Sequence, residues 1–238
     1  MQHGYKQFVK FIFGGQVISI NENTNLNLQL TYDKKLNATI DNQPCKVEKL
    51  DGGNTNHVWK IISQNNDTYV VKKFVSTEAA DYQQLKMWCD MDGKDGFRIK
   101  EFHPKIYAFE DTWVVMQACD KAILEGKEVN FLIEKIQKLH TYGLYHGDML
   151  VDKHIHYGNI VKCNNEVLFI DPTSGIDPDG TTYEQREKNY LLNQDVLTTA
   201  KNHARSHFEE QSRIEARKAR RRERPYKKRR TTGIRLLF

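Results

Sequence analysis

The sequence predicts an α+β fold in which strands occupy the first half of the chain and helices the second. Residues 17–75 alternate apolar and polar side chains between Asn-, Asp- and Gly-rich turns, which is typical of antiparallel strands. Residues 76–91 and 129–142 instead repeat apolar side chains at helical spacing. Strands followed by helices are characteristic of α+β proteins. A chain of 238 residues can bury a core as one domain of two lobes or as one domain with appendages.

The first predicted unit is an N-terminal β extension, residues 1–45, in which alternation is clearest over residues 26–32. The second unit, residues 46–117, begins with a three-stranded meander and ends with a hairpin. A Gly-Gly turn and an Asn-Asn-Asp turn join the strands of the meander. The predicted strands of this unit are residues 45–50, 57–63, 68–75, 104–109 and 112–117.

Three helices are predicted, one within the second unit and two within the third unit, residues 118–205. Ser76 and Thr77 are N-cap candidates for the first helix, because their side-chain oxygens can accept a backbone N–H. Gly143 is expected to end the second helix in the left-handed conformation. The predicted helices cover residues 76–91, 129–142 and 182–204.

The C-terminal tail, residues 206–238, is the source of the chain's net positive charge. Its basic segment, residues 213–230, holds eleven Lys or Arg and two Glu, a charge of +9, so the rest of the +5 chain carries −4. Like charges three and four residues apart repel, and we expect the tail to be disordered or only partly helical. Such a segment suits nucleic acid or an acidic protein surface, or it serves only to keep the chain in solution. Tyr226 is its only aromatic residue, so base stacking is not expected.

Composition argues against several classes of protein. No run of about 18 apolar residues is present, so we expect no membrane span. The N-terminus lacks the apolar region of a signal peptide. The four cysteines are far apart and form no Cys-x-x-Cys pair, so we expect free thiols and a cytoplasmic location.

The most informative pattern is the pairing of Asn159 with Asp171. An apolar strand leaves Asn159, turns at Asn164-Asn165, and returns to Asp171. Such a hairpin brings together two oxygen ligands of the kind that Mg²⁺ uses beside water and phosphate. Upstream, Asp148 is a second carboxylate that could orient a hydroxyl nucleophile. The combination predicts phosphoryl transfer.

A phosphate-binding side is predicted around Lys72. The preceding Gly52-Gly53-Asn54-Thr55-Asn56 turn allows backbone amides to approach an anion closely. Strand alternation places Lys72 and Lys73 on opposite faces, so only one of them can reach a phosphate. We favour Lys72, which follows two valines, and expect Lys73 to be solvated.

These residues resemble the motifs of the protein-kinase-like superfamily, especially its aminoglycoside and choline phosphotransferase branch. The shared motifs are Gly-Gly-x-Thr-Asn, Val-Val-Lys, His-Gly-Asp, His-x-Gly-Asn and Ile-Asp-Pro, over residues 46–175. Residues 154–174 and the Arg/Lys-rich tail are also similar to early serine/threonine protein kinases of short-tailed lytic phages. The resemblance implies a two-lobed fold with a minimal C-lobe, acting in a host-cell cytoplasm during host takeover.

The resemblance also implies roles for particular residues, with ATP and Mg²⁺ as cofactors. Asn159 and Asp171 would hold the metal ion. Asp81 would pair with Lys72 from the helix, with Glu78 as the alternative. The implied nucleotide-contacting residues are Gly52, Gly53, Asn56, Lys72 and Met116.

One position departs from the family pattern. Where relatives have the catalytic Asp, five residues before the Asn, this chain has His154. In one interpretation six residues are inserted and Asp148 folds back to act as the base. In the other, Asp152 or His154 occupies the position and activity is altered or lost. His146, His154 and His156 could also form a transition-metal site, although loop histidines more often bond to backbone carbonyls.

The sequence therefore predicts an ATP- and Mg²⁺-dependent serine/threonine protein kinase. Only about forty residues separate Asp171 from the basic segment, which leaves little room for a small-molecule pocket. We expect a protein substrate, and a tail that brings the enzyme to nucleic-acid-bound host machinery. The alternatives are a catalytically silent kinase-like module that inhibits a host protein, a small-molecule kinase of the aminoglycoside or choline type, and a nucleic-acid-binding scaffold.

Overall fold

The computed structural model describes residues 28–33, 35–50, 57–125, 128–151, 154–176 and 178–223. Its fold is mixed α+β, which confirms the fold class predicted from the sequence. The described part of the N-terminal extension is an antiparallel sheet of three strands. The strands are β1 (Leu28–Asp33), β2 (Lys35–Ile40) and β3 (Gln43–Pro44).

A five-stranded antiparallel sheet follows, in the order β4-β5-β6-β8-β7. It confirms the predicted meander and hairpin to within two residues at each strand end. The strands are β4 (Lys46–Leu50), β5 (His57–Ile62), β6 (Thr68–Lys73), β7 (Ile106–Glu110) and β8 (Trp113–Gln117).

Both faces of the five-stranded sheet are covered. One face packs on the small sheet through a core that includes Leu28, Leu30, Trp59 and Trp113. The other face packs on helix α1 (Ala80–Met91), whose buried Tyr82 and Leu85 meet Phe74, Val114 and Met116. Lys72 lies in β6 between these layers, which positions it next to α1.

The N-cap prediction for α1 was wrong, because the helix begins later than expected. Ala79 occupies the N-cap position and makes no side-chain capping bond. The Ser76 hydroxyl accepts a hydrogen bond from the Glu78 backbone N–H at 3.2 Å instead. Ser76 therefore shapes the turn that leads into α1.

The second half of the chain is built on helices. Helix α2 (Glu128–Thr141) ends at Gly143, whose φ of +71° confirms the predicted left-handed cap. Helix α3 (Tyr183–Leu192) begins with a capping box between Thr182 and Gln185. The apolar core that these helices bury includes Trp88, Leu132, Ile136, Leu139 and Phe169.

Two short strand pairs lie between α2 and α3. Strands β10 (Leu150–Val151) and β11 (His154–Ile155) form a minimal hairpin. Strands β12 (Ile160–Cys163) and β13 (Glu166–Phe169) form the predicted hairpin, with Asn164 and Asn165 at positive φ in its turn. A short strand, β9 (Asp120–Lys121), pairs with the other side of β12.

Helix α4 (Gln194–Glu223) differs from the sequence prediction. The predicted run over 182–204 divides at Asn193, and its second part continues as one helix through the described part of the tail. The predicted domain boundary at 206 therefore falls inside a helix. Buried Leu197, Ala200 and Ala204 dock the first half of α4, and a docked half supplies the nucleus from which a helix propagates. Residues 224–238 lie outside the described residues.

The cysteine prediction was wrong for one pair. Cys119 and Cys163 form a disulfide with their Cα atoms 4.9 Å apart, whereas Cys45 and Cys89 are free thiols. The antiparallel pairing of β9 with β12 brings the two cysteines within the Cα separation that a disulfide needs. No helix in the described part of the chain is both long and apolar enough to cross a membrane.

Candidate functional site

Lys72 is the centre of a buried ionic cluster. Its Nζ lies 2.8 Å from Asp81 Oδ2 and 2.8 Å from Asp171 Oδ1, and its side chain is 4% exposed. A buried ammonium group is costly unless it is paired, and these two carboxylates provide the pairing. The cluster joins β6, α1 and the segment after β13. It brings together three residues that the sequence analysis singled out.

Lys73 and Glu78, the alternatives for the lysine and for its partner, do not take part in this ionic cluster. The side chain of Lys73 points to the other face of β6, with its Nζ 4.7 Å from the centre of the Tyr32 ring. Glu78 is exposed in the turn before α1. In this structure Asp81, and not Glu78, forms the ion pair with Lys72.

Asn159 and Asp171 face one cavity, as the hairpin predicts. Asn159 ends a 3₁₀ turn (Tyr157–Asn159), and its carbonyl oxygen accepts the Ile170 backbone N–H at 3.0 Å. Asp171 follows with a φ of +57°, in the left-handed region. This bond and this turn place the two side chains together at the open end of the hairpin.

Asp148 also belongs to this group. The Asn159 side-chain Nδ2 donates to the Asp148 carbonyl oxygen at 3.1 Å and to its Oδ2 at 3.2 Å. Between Asp148 and Asn159, strands β10 and β11 pair, and the His156 N–H donates to the Met149 carbonyl at 2.9 Å. This arrangement matches the interpretation in which Asp148 folds back beside Asn159.

His154 and Asp152 are the alternatives to Asp148 for the position of the catalytic base. His154 lies in β11 with its ring 4.4 Å from the His203 ring, on the side that packs against α4. Asp152 lies outside the described residues, as do Gly52, Gly53 and Asn56. Their assignments stay predictions.

His156 is a site residue that the sequence analysis did not assign to this chemistry. Its Nδ1 lies 2.9 Å from Asn159 Nδ2 and 3.3 Å from Asp148 Oδ2. A neutral ring with a bare Nδ1 accepts from Asn159, whereas a ring protonated on Nδ1 donates to Asp148. The sequence did contain a signal for this contact. His156 and Asn159 are three residues apart, and side chains three residues apart lie one above the other in a 3₁₀ turn.

Glu187 on α3 supports the loop that carries Asp148. Its carboxylate is buried and accepts the backbone N–H groups of His146 at 3.2 Å and Gly147 at 2.7 Å. Nε2 of His140 lies 2.6 Å from the same carboxylate. Nothing in the polar sequence of α3 distinguished this glutamate from its exposed neighbours.

The loop itself leaves no room for a side chain at Gly147. Gly147 has a φ of +85°, and a Cβ there would lie 2.2 Å from the Thr173 carbonyl oxygen. The Thr173 N–H donates to the His146 carbonyl at 2.8 Å, so the segment after Asp171 runs against the segment before Asp148. His146 is fully buried, and burial lowers the pKa of its imidazole. The neutral ring lies 2.9 Å from the Ile170 carbonyl oxygen.

Two neighbouring cavities meet at these side chains. The first has a volume of about 500 Å³, a size typical of small-molecule sites, and apolar walls that include Val58, Val70 and Met116. The second, about 590 Å³, is lined by Ser76, Glu78 and Thr173. Both cavities are also lined by Lys72, His156, Asn159 and Asp171.

The donors fit a magnesium ion better than a transition metal. No group of three or more His, Cys, Asp or Glu side chains among the described residues is arranged to hold a metal ion. The side-chain contacts of Asn159 with Asp148 and His156 use Nδ2, and Lys72 binds Asp171 through Oδ1. Asn159 and Asp171 both line the cavity, and each has a hard oxygen atom that these contacts do not use, Oδ1 and Oδ2 respectively. Mg²⁺ accepts such a small set of protein oxygens because phosphate and water complete its shell.

Comparison with models of known protein families gives no match, and comparison with curated proteins gives none either. Function is therefore inferred from the residues and their geometry.

Proposed function

We propose that the chain is an ATP- and Mg²⁺-dependent phosphotransferase with a two-lobed, protein-kinase-like fold. The observation that carries the proposal is the ionic cluster of Lys72, Asp81 and Asp171 on a cavity shared with Asn159 and Asp148. A lysine held between a helix acid and the acid that follows a hairpin, beside a third carboxylate, is the set of side chains that phosphoryl transfer uses.

Each side chain has a role in this proposal. The apolar cavity beside Met116 binds the nucleotide base, and Lys72 binds the phosphates. Asn159 and Asp171 hold magnesium, which neutralises phosphate charge when bound. Asp148, with a side chain 35% exposed, orients the acceptor hydroxyl and receives its proton.

The acceptor we favour is a Ser or Thr hydroxyl of a protein. The second cavity reaches the surface beside Glu78 and Thr173, and the side chains of Asp148 and Asp171 are 35% and 43% exposed. An open acceptor side suits an extended segment of polypeptide better than a small molecule that must be enclosed. We further propose that the basic segment, residues 213–230, brings the enzyme to a polyanion.

Labelled ATP tests the proposal. The purified chain, with Mg²⁺, is incubated with a mixture of soluble proteins, and separately with aminoglycosides and choline. We expect label on Ser and Thr of proteins, and a loss of about a hundredfold or more in Asp171→Asn and in Asp148→Asn. Asp90→Asn, on the exposed face of α1, makes the same chemical change away from the site and should keep full activity.

Each of the other possible outcomes would contradict a different part of the proposal. Transfer to a small molecule alone would replace the protein acceptor. Nucleotide binding without transfer to any acceptor would indicate a silent kinase-like module. Undiminished transfer by Asp171→Asn would refute the assignment of the site.

A further inference from the structure

The described part of α4 has two halves with different environments. The first half docks on β11, α3 and α2 through Leu197, Ala200 and Ala204. From residue 215 to residue 220 every side chain is exposed. The helix therefore projects beyond the globule over its last turns, and its 30 residues span about 45 Å.

The projecting half of α4 is represented here by residues 213–220. Its positive charge lies on the helix face opposite the face that carries Leu197, Ala200 and Ala204. Arg213, Arg217 and Arg220 lie at i, i+4 and i+7, so they form one stripe along the helix, here called the basic stripe. Lys218 adds a fourth exposed cation, and Glu215 is the acidic residue between them. Arg213 lies 3.9 Å from Glu210, a weak exposed contact that leaves the guanidinium able to exchange partners.

We propose that the basic stripe of α4 is a binding surface for duplex DNA, with the projecting helix lying in the major groove. The groove is about 12 Å wide and admits a helix of about 10–12 Å diameter. Because the three arginines lie on one face of the helix, their long side chains can reach phosphates along one edge of the groove. The contacts are to the phosphate backbone, so the affinity does not depend on base sequence.

The chemistry of the helix argues against the other polyanions. A bilayer surface requires an apolar face, but after Ile214 the apolar side chains up to residue 220 are only Ala216 and Ala219. Single strands are bound by aromatic stacking, and this half contains no aromatic residue among those the structure describes. The major groove of duplex RNA is too narrow for a helix.

The docked half of α4 connects the basic stripe to the candidate functional site. The His207 ring stacks on Tyr157 with centres 4.1 Å apart, and Tyr157 belongs to the turn that ends at Asn159. A duplex on the basic stripe would therefore be bound by the same helix that contacts the turn of Asn159. This consequence rests on the proposed function: the acceptors it predicts are proteins bound to the same duplex.

Fluorescence anisotropy of the full chain with a labelled 20-base-pair DNA duplex tests the proposal. We expect binding that weakens with salt and is similar for two unrelated sequences. In Arg213→Gln/Arg217→Gln/Arg220→Gln the slope of log affinity against log salt should fall by about 2 to 3, since each phosphate contact contributes about 0.9. The control Lys46→Gln/Lys86→Gln/Lys138→Gln removes equal charge from exposed lysines of the globule and should leave the slope unchanged.

Competition distinguishes the partners. Unlabelled duplex DNA should displace the probe at lower concentration than single-stranded DNA, duplex RNA, poly-glutamate or anionic vesicles of equal charge. Equal or stronger competition by any of these would overturn the proposal, as would an unchanged slope in the arginine variant. Circular dichroism of that variant confirms that α4 is intact. The measurement involves no ATP, so its result is independent of the proposed phosphotransfer.

Discussion

Asp171 adopts an unfavourable backbone conformation, and that conformation sets the position of its carboxylate. Its φ of +57° is uncommon for a residue other than glycine, although Asp tolerates it better than most. In this conformation one carboxylate oxygen binds Lys72, and the residue lines the cavity that Asn159 also lines. Such departures are found where a side chain must be aimed.

At the residue scale, Gly147→Ala should damage both stability and activity. The new Cβ would lie 2.2 Å from the Thr173 carbonyl oxygen, so the backbone around Asp148 must move. We expect a loss of about 2 to 4 kcal/mol in the free energy of unfolding, measured by urea titration. Gly180→Ala separates the causes, because Gly180 has a φ of +84° but no atom within 4 Å of its added Cβ. That control should lose only about 1 kcal/mol, and an equal loss in both variants would contradict the steric explanation.

A second prediction at this scale concerns His156→Ala. The variant removes the ring that lies against both Asn159 and Asp148, and the amide and carboxylate then lose a shared partner. We expect the proposed phosphotransfer to fall about 10- to 100-fold with a raised requirement for Mg²⁺, the usual effect of losing support behind a metal ligand, which is the role proposed for Asn159. His57→Ala, an exposed histidine at the start of β5, is the control. Unchanged magnesium dependence would show that His156 does not support Asn159.

At the element scale, helix α3 supports the Asp148 loop, because its Glu187 side chain binds the backbone of that loop. Glu187→Gln keeps the shape of the side chain but removes the charge that accepts two backbone N–H groups. We expect a loss of about 1 to 3 kcal/mol in unfolding free energy and a lower kcat, with nucleotide affinity retained. Glu184→Gln makes the same change at a more exposed position of α3. Nucleotide affinity reduced as much as kcat would contradict a role limited to the Asp148 loop.

The sequence predicted elements well where local patterns determine them. Alternation located β4, β5 and β6, and Gly143 marked the end of α2. The spacing of Asn159 and Asp171 predicted their shared cavity, because a hairpin with a two-residue turn has few possible registers.

The failures involve contacts between distant segments. The continuation of α4 to Glu223 depends on docking of Leu197 and Ala204 against the helical core, whereas charge repulsion alone predicted a tail that is disordered or only partly helical. Cys119 and Cys163 are 44 residues apart and meet only because β9 pairs with β12. Glu187 likewise receives its partners from a loop forty residues earlier.

At the scale of the whole molecule, buried histidines link stability to pH. Burial lowers the pKa of His103 to about 4 from an ordinary 6.5, against the opposing effects of its bond to the Pro104 carbonyl and of nearby Asp171. Below pH 6.5 the unfolded chain therefore binds more protons than the folded chain. Stability is complete above that pH and decreases as the pH falls towards 4.

The corresponding prediction compares urea unfolding at pH 7 and pH 5. His103 alone should cost about 2 kcal/mol at pH 5, and His146, whose pKa is also lowered by burial, adds to the loss. His103→Phe should be less stable at pH 7 but lose less between the two pH values than the parent chain. An equal loss in variant and parent would exclude His103 as the source.

The three tryptophans divide between the two cores. Trp59 and Trp113 stack with ring centres 5.8 Å apart beside the five-stranded sheet, whereas Trp88 is fully buried among the helices. Emission from Trp88→Phe would thus come from the sheet alone, and emission from Trp59→Phe/Trp113→Phe from the helical core alone. The stability that each substitution removes is subtracted first. If the two variants still unfold at separate denaturant concentrations, the sheet and the helical core, which both line the first cavity, unfold independently.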